Sequence, residues 1–121
     1  MRKKYMRMPV WKILWLLAEK KYIVCRETGQ VTGPRGKVIT PFFKKNDTTR
    51  HLYVRLYCNG MYVRSISLAK LVWISVTGRL MPNGFEAHHR DENPQNNAWT
   101  NIICVHALDH RKLHAEEVIP F

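Results

Sequence analysis

Five of the six histidines in this 121-residue chain, His88, His89, His106, His110 and His114, fall in one polar stretch. Asp91, Asn93, Asn96, Asn97, Asn101 and Asp109 lie among them. Imidazole and carboxylate groups bind divalent metals and exchange protons near neutral pH, so this stretch holds the densest chemistry of the chain. Amides and carboxylates between histidines also form tight turns, because Asn and Asp satisfy their own backbone.

Local patterning assigns elements to these residues. Residues 86–89 read as a short extended run, followed by a loop of turn formers through Asp91, Asn93, Pro94, Asn96 and Asn97. Residues 102–105, IICV, have the β-branched content of a second strand, and residues 107–117 have the composition of a helix with Asp109 in its first turn. On such a helix His110 and His114, four apart, share a face. Consecutive strand residues alternate sides, so His88 and His89 serve one site only if the strand ends or twists at them. His106 reads as a helix-start or surface residue, and His51 has no chemical neighbours in sequence.

The run 88–97, HHRDENPQNN, followed by Asn101-Ile102 and His110, resembles the HNH endonuclease family and its ββα-metal motif. The resemblance covers about thirty residues at many fixed polar positions. It implies His89 as general base, Asn101 as the residue orienting it, and His88 with His110 as ligands of one divalent metal. His114 is then an additional ligand or a phosphate contact, and Asp91, Asn93 and Asn97 are loop scaffold. Glu92 stands where relatives often carry Gly, and His88 where they also carry Asp. The resemblance implies Mg²⁺ or Mn²⁺; because a His/His pair is a softer donor set than one with Asp, Zn²⁺ and Ni²⁺ compete for the site.

The chemistry such a family performs matches these side chains. Hydrolysis of a phosphodiester needs an acceptor for the proton that water loses as it attacks phosphorus, and neutral imidazole suits that task. A general base contributes about 10²–10⁴ in rate. Enzymes lower barriers by about 8–23 kcal/mol, so the metal must stabilise much of the remaining charge.

The rest of the sequence points to an anionic partner. Lys and Arg number 20 against nine Asp and Glu, a formal net charge of +11. Residues 1–45 hold twelve of those cations against two acids, leaving eight against seven in 46–121. Basic charge set apart from the histidine stretch suggests an arm or face that tracks phosphates, with Arg2, Lys3, Lys4, Arg7, Arg55, Arg64 and Arg90 as nucleic-acid-binding candidates. Cys25, Cys58 and Cys104 form no C-x-x-C pair and indicate neither zinc ribbon nor disulfide framework. The apolar run after the basic N-terminus is short and interrupted by Lys12, which reads as an intracellular chain without export signal or transmembrane segment, in a bacterial cytoplasm if phage-encoded.

Between the termini the pattern predicts a basic arm and helix over 1–21, with Trp11, Leu14, Trp15 and Ala18 facing the body. A strand at 22–25 and its return at 30–32 flank the turn 27–30. Strands before and after Asn59-Gly60 form a hairpin from which Arg55 and Arg64 project. A helix over 68–76, capped by Ser67 and stopped by Gly78, packs Leu68, Leu71, Val72 and Ser75. The expected fold is a single α+β domain: a small antiparallel sheet with flanking helices, carrying a C-terminal ββα-metal motif over 84–117. The expected function is metal-dependent nicking of DNA. The alternatives are a nucleic-acid-binding module with a structural or decayed metal site, and a metal-stabilised protein that targets another nucleoprotein.

Overall fold

The computed structural model describes residues 9–109. Its elements in order are α1 (Lys12–Ala18), β1 (Ile23–Val24), β2 (Val31–Thr32), β3 (Phe42–Phe43), β4 (Leu52–Cys58), β5 (Met61–Ser67), α2 (Leu68–Thr77), β6 (Phe85–His89) and β7 (Ile102–His106), with a 3₁₀ turn at Trp99–Asn101. The fold is α+β, and its antiparallel strands form three small sheets, β1-β2, β3-β4-β5 and β6-β7.

The β4-β5 hairpin follows from its turn. Asn59 and Gly60 both take positive φ, 53° and 79°, the conformation a two-residue turn needs between right-twisted strands. Val54, Leu56 and Cys58 alternate inward and Arg55 and Tyr57 outward. A register shift falls between Leu56 and Tyr57. Beside it the Tyr57 N–H donates to the Tyr22 hydroxyl at 2.7 Å, and that hydroxyl donates back to the Tyr57 carbonyl at 3.2 Å.

Helix α2 is the element shared by the three sheets, touching β1, β4, β5, β6 and β7 as well as α1. The Ser67 hydroxyl accepts from the Lys70 N–H at 3.2 Å, and Gly78 ends the helix at φ 72°. Leu68, Ala69, Leu71, Val72 and Ile74 are buried, while Ser75 turns its hydroxyl back to the Val72 carbonyl. Burial on both sides of α2 explains why Ala69 and Ile74 join the expected Leu68, Leu71 and Val72.

Helix α1 buries a different face from the one its aromatics suggest. Ile13 and Leu16 enter the core, whereas Trp11 is 55% exposed and Ala18 is exposed. Lys12 lies over the Trp15 ring at 4.1 Å, so that indole, partly packed on the core, also receives a cation. Residues 107–109 begin a helix after β7. Among the described residues no helix is long and apolar enough to cross a membrane.

Candidate functional site

Strand β6 ends at His89, which resolves the problem of alternating sides. Its partner strand holds His88 opposite Ile103 and His89 opposite Ile102. The chain then turns sharply, with the Glu92 N–H donating to the His89 carbonyl at 3.0 Å. Both histidines are 5% exposed, and both line a cavity of about 250 Å³ with Thr49, His51, Glu92 and Pro94.

The loop after His89 is held by its own amides. Asp91 accepts from the Asn93 N–H at 2.8 Å, from Asn96 Nδ2 at 2.8 Å and from Asn101 Nδ2 at 2.9 Å. These donors, with Asn96 first, hold the Asp91 carboxyl below the usual carboxylate range, because they favour its ionised form. Asn93 in turn accepts from the Gln95 N–H at 3.0 Å. Asp91 and Asn93 are therefore structural members of the loop.

The two amides make different contacts from the expected one between Asn101 and His89. His89 Nε2 stands 2.9 Å from Asn97 Oδ1, not against Asn101. Asn101 instead accepts from the Asp91 N–H at 3.1 Å and donates to both Asp91 Oδ1 and the Asn96 carbonyl, the latter at 2.8 Å. The reason is direction: the 3₁₀ turn at Trp99–Asn101 aims Asn101 back into the loop, while Asn97 approaches the end of β6. Asn97 Nδ2 donates to the Pro94 carbonyl at 3.4 Å, which leaves Oδ1 as the atom facing His89. A neutral His89 makes this contact with its proton on Nε2, which leaves the lone pair on Nδ1.

Asn97 is itself seated against a distant turn. Gly29 has φ +83°, and a Cβ there would lie 2.8 Å from Asn97 Cβ and 3.0 Å from its carbonyl oxygen. The Trp99 N–H also donates to the Arg26 carbonyl at 2.7 Å, tying the same two segments together. The 27–30 turn thus supports the loop that holds His89.

Two further groups reach the site. Glu92 Oε2 is 3.4 Å from His88 Nε2. The His51 ring stacks on His89 with centroids 5.5 Å apart, and its Nδ1 is 2.8 Å from the Thr49 hydroxyl, which is bonded to Asp47. A neighbouring cavity of about 600 Å³ contains His51, His89 and Asn97 together with Lys44, Arg64 and Lys70. Sequence reasoning missed His51, Lys44 and Lys70 because they come from the hairpin, its leading loop and α2, where no local pattern connects them to the motif.

The basic residues divide by face. Arg55 pairs with Ser65, so Arg64 points to the opposite side of the hairpin from Arg55. Arg55 lies over the Phe42 ring at 3.9 Å, outside the His89 cavity. Arg90 lines a separate hollow with Trp73 and Trp99. Arg2, Lys3, Lys4 and Arg7, and the histidines His110 and His114, lie outside the described residues. Among the described residues no group of three or more His, Cys, Asp or Glu is placed to hold one ion; His88 stands beside Glu92, and His51 beside His89.

Residues 70–112 match the family profile of HNH endonucleases. Over this segment, about a third of the chain, the protein is similar to HNH endonucleases. A solved structure described as DNA binding and cleavage by the HNH homing endonuclease I-HmuI shares the fold, with 22% sequence identity and a TM-score of 0.64. That match covers 84% of this chain and 56% of the other, so this chain spans little more than half of that protein. No curated protein matches the chain. The matched segment starts inside α2 and runs through β6, the amide-rich loop and β7, so it contains His88, His89, Asn97 and Asn101.

Proposed function

We propose that this chain is a divalent-metal-dependent endonuclease that hydrolyses DNA phosphodiester bonds one strand at a time. The observation that carries the reading is His89: a buried imidazole at a strand end, lining the cavity, with one ring nitrogen fixed by Asn97. In this reading His89 Nδ1 takes the proton of the attacking water, and Asn97 is the positioning residue that keeps the proton on Nε2. His88 and His110 hold the metal, and His114 is a further ligand or phosphate contact. The ion, Mg²⁺ or Mn²⁺ with Zn²⁺ or Ni²⁺ as competitors, supplies Lewis-acid stabilisation of the phosphate and the departing oxyanion.

DNA is favoured as substrate by the net charge, by Lys44, Arg64 and Lys70 around the cavity, and by the DNA cleavage described for the similar solved protein. The arm carrying Arg2, Lys3, Lys4 and Arg7 adds phosphate affinity. Supercoiled plasmid incubated with Mg²⁺ or Mn²⁺ should be converted to nicked circles, and chelator should stop the conversion. His89→Ala should lower the single-turnover rate by at least about 10² while DNA is still bound. Undiminished cutting by His89→Ala, or cutting that survives chelation, rules the reading out.

A further inference from the structure

We propose that Glu92 is a ligand of the metal at His88, an oxygen donor that shifts the site's preference toward Mn²⁺ and Mg²⁺ and away from softer ions. The inference rests on the metal-dependent reading and goes beyond it by adding an oxygen donor to the histidines. Two independent observations meet at this residue. First, Glu92 Oε2 stands 3.4 Å from His88 Nε2, and both side chains line the same cavity. Ligands bound at about 2.0–2.2 Å to one ion stand about 2.8–3.1 Å apart at an octahedral angle and about 3.3–3.6 Å apart at a tetrahedral one. The observed separation is that of a tetrahedral pair, and a shift of about 0.3–0.6 Å in the exposed Glu92 side chain brings it to an octahedral one.

Second, the backbone of Glu92 is held at φ 63°, the left-handed region that glycine enters freely and a residue with a Cβ enters at a cost. The loop fixes it there: its N–H donates to the His89 carbonyl, and the next N–H, of Asn93, donates to Asp91. A glutamate kept where glycine would be easier, with its carboxylate against a histidine, is strain retained at a site of function. His88 alone is an imidazole donor, which favours Zn²⁺ and Ni²⁺; a carboxylate beside it supplies the hard oxygen that Mn²⁺ and Mg²⁺ require. Glu92 is 41% exposed in its side chain, so an ion reaches it from solvent.

The simpler account is an ion pair in which Glu92 only stabilises protonated His88, and titration calorimetry of the metal-free full chain, without DNA, separates the two. Mn²⁺ and Zn²⁺ are each titrated into wild type, Glu92→Gln, Glu92→Gly and His88→Ala. Glu92→Gln should weaken Mn²⁺ at least about 10-fold, the loss that even a residue behind the ligands causes, and weaken Zn²⁺ less. Glu92→Gly should weaken Mn²⁺ similarly while raising the Tm of the metal-free protein, a combination that a purely structural glutamate does not give. Unchanged or tighter Mn²⁺ binding by Glu92→Gln, with the ion lost in His88→Ala, overturns the assignment and leaves the site at His88 standing. Absence of ion uptake by wild type overturns both this inference and the metal-dependent reading.

Discussion

Asn97, not Asn101, holds the ring of His89, with Oδ1 2.9 Å from Nε2. The two amides therefore have separable consequences. Asn97→Ala should lower single-turnover cleavage by about 10-fold or more, by freeing the tautomer of a group whose contribution is about 10²–10⁴. Asn101→Ala removes three hydrogen bonds at a buried position and should cost roughly 2–4 kcal/mol of stability, at about 0.5–1.5 kcal/mol each. Rapid-quench kinetics and urea unfolding on both variants test the division. A larger rate loss in Asn101→Ala at full folding would make Asn101 the residue that orients the base.

Gly29 and Gly36 form a matched pair. Both have positive φ, but a Cβ at Gly36 meets nothing within 4 Å while one at Gly29 strikes Asn97. Gly29→Ala and Gly36→Ala should each lose about 1–2 kcal/mol from the left-handed backbone. Only Gly29→Ala should lose more than that and also slow cleavage. Equal Tm and equal rates in the two variants would show that the turn does not support Asn97.

Cations on the two faces of the hairpin should differ in salt dependence. Neutralising Lys44, Arg64 and Lys70 to Gln should flatten the plot of log affinity against log salt, by about 0.9 for each duplex phosphate that no longer meets a cation. Arg55→Gln, on the opposite face, should leave the slope unchanged. Fluorescence anisotropy with a labelled duplex over a range of salt gives both slopes.

The loop should respond to acid in a defined direction. Hydrogen bonds hold the Asp91 carboxyl below its ordinary value, so its folded pKa lies under the unfolded one of about 3.9. The stability it adds is present above the unfolded pKa and is lost as pH falls through the folded pKa. Wild type should melt above Asp91→Asn at neutral pH, and the difference should close below about pH 4. A constant difference down to pH 2 would place the effect elsewhere.

Local signals made much of this legible in the sequence. Asn59-Gly60 fixes a hairpin through two consecutive positive φ angles, and Ser67 and Gly78 bracket α2 through a side-chain cap and a left-handed stop. Each of those signals is contained within a few residues. The histidine run was legible for the same reason, since HHRDENPQNN carries its spacing on its face. The partner of His89 was not, because the loop offers several amides and only the approach of Gly29 to Asn97 selects one. Nor was the buried face of α1, where Trp11 and Ile13 are both apolar and the docking angle on α2 decides which enters the core. Glu92 reads as a departure from a glycine position, and its neighbour His88 emerges only once the turn closes.

Tyr22 has a consequence beyond its bonds to Tyr57. Strand β3 covers β4 only at Tyr53 and Leu52, so among the described residues the backbone groups of β4 beyond Tyr53 meet no strand on that side. The phenol hydroxyl occupies both Tyr57 groups at that open border, accepting one bond and donating the other. A side chain thereby does what an additional strand would do. It leaves a second copy of the chain less backbone to pair with, which is one way an open sheet border is kept from joining edge to edge.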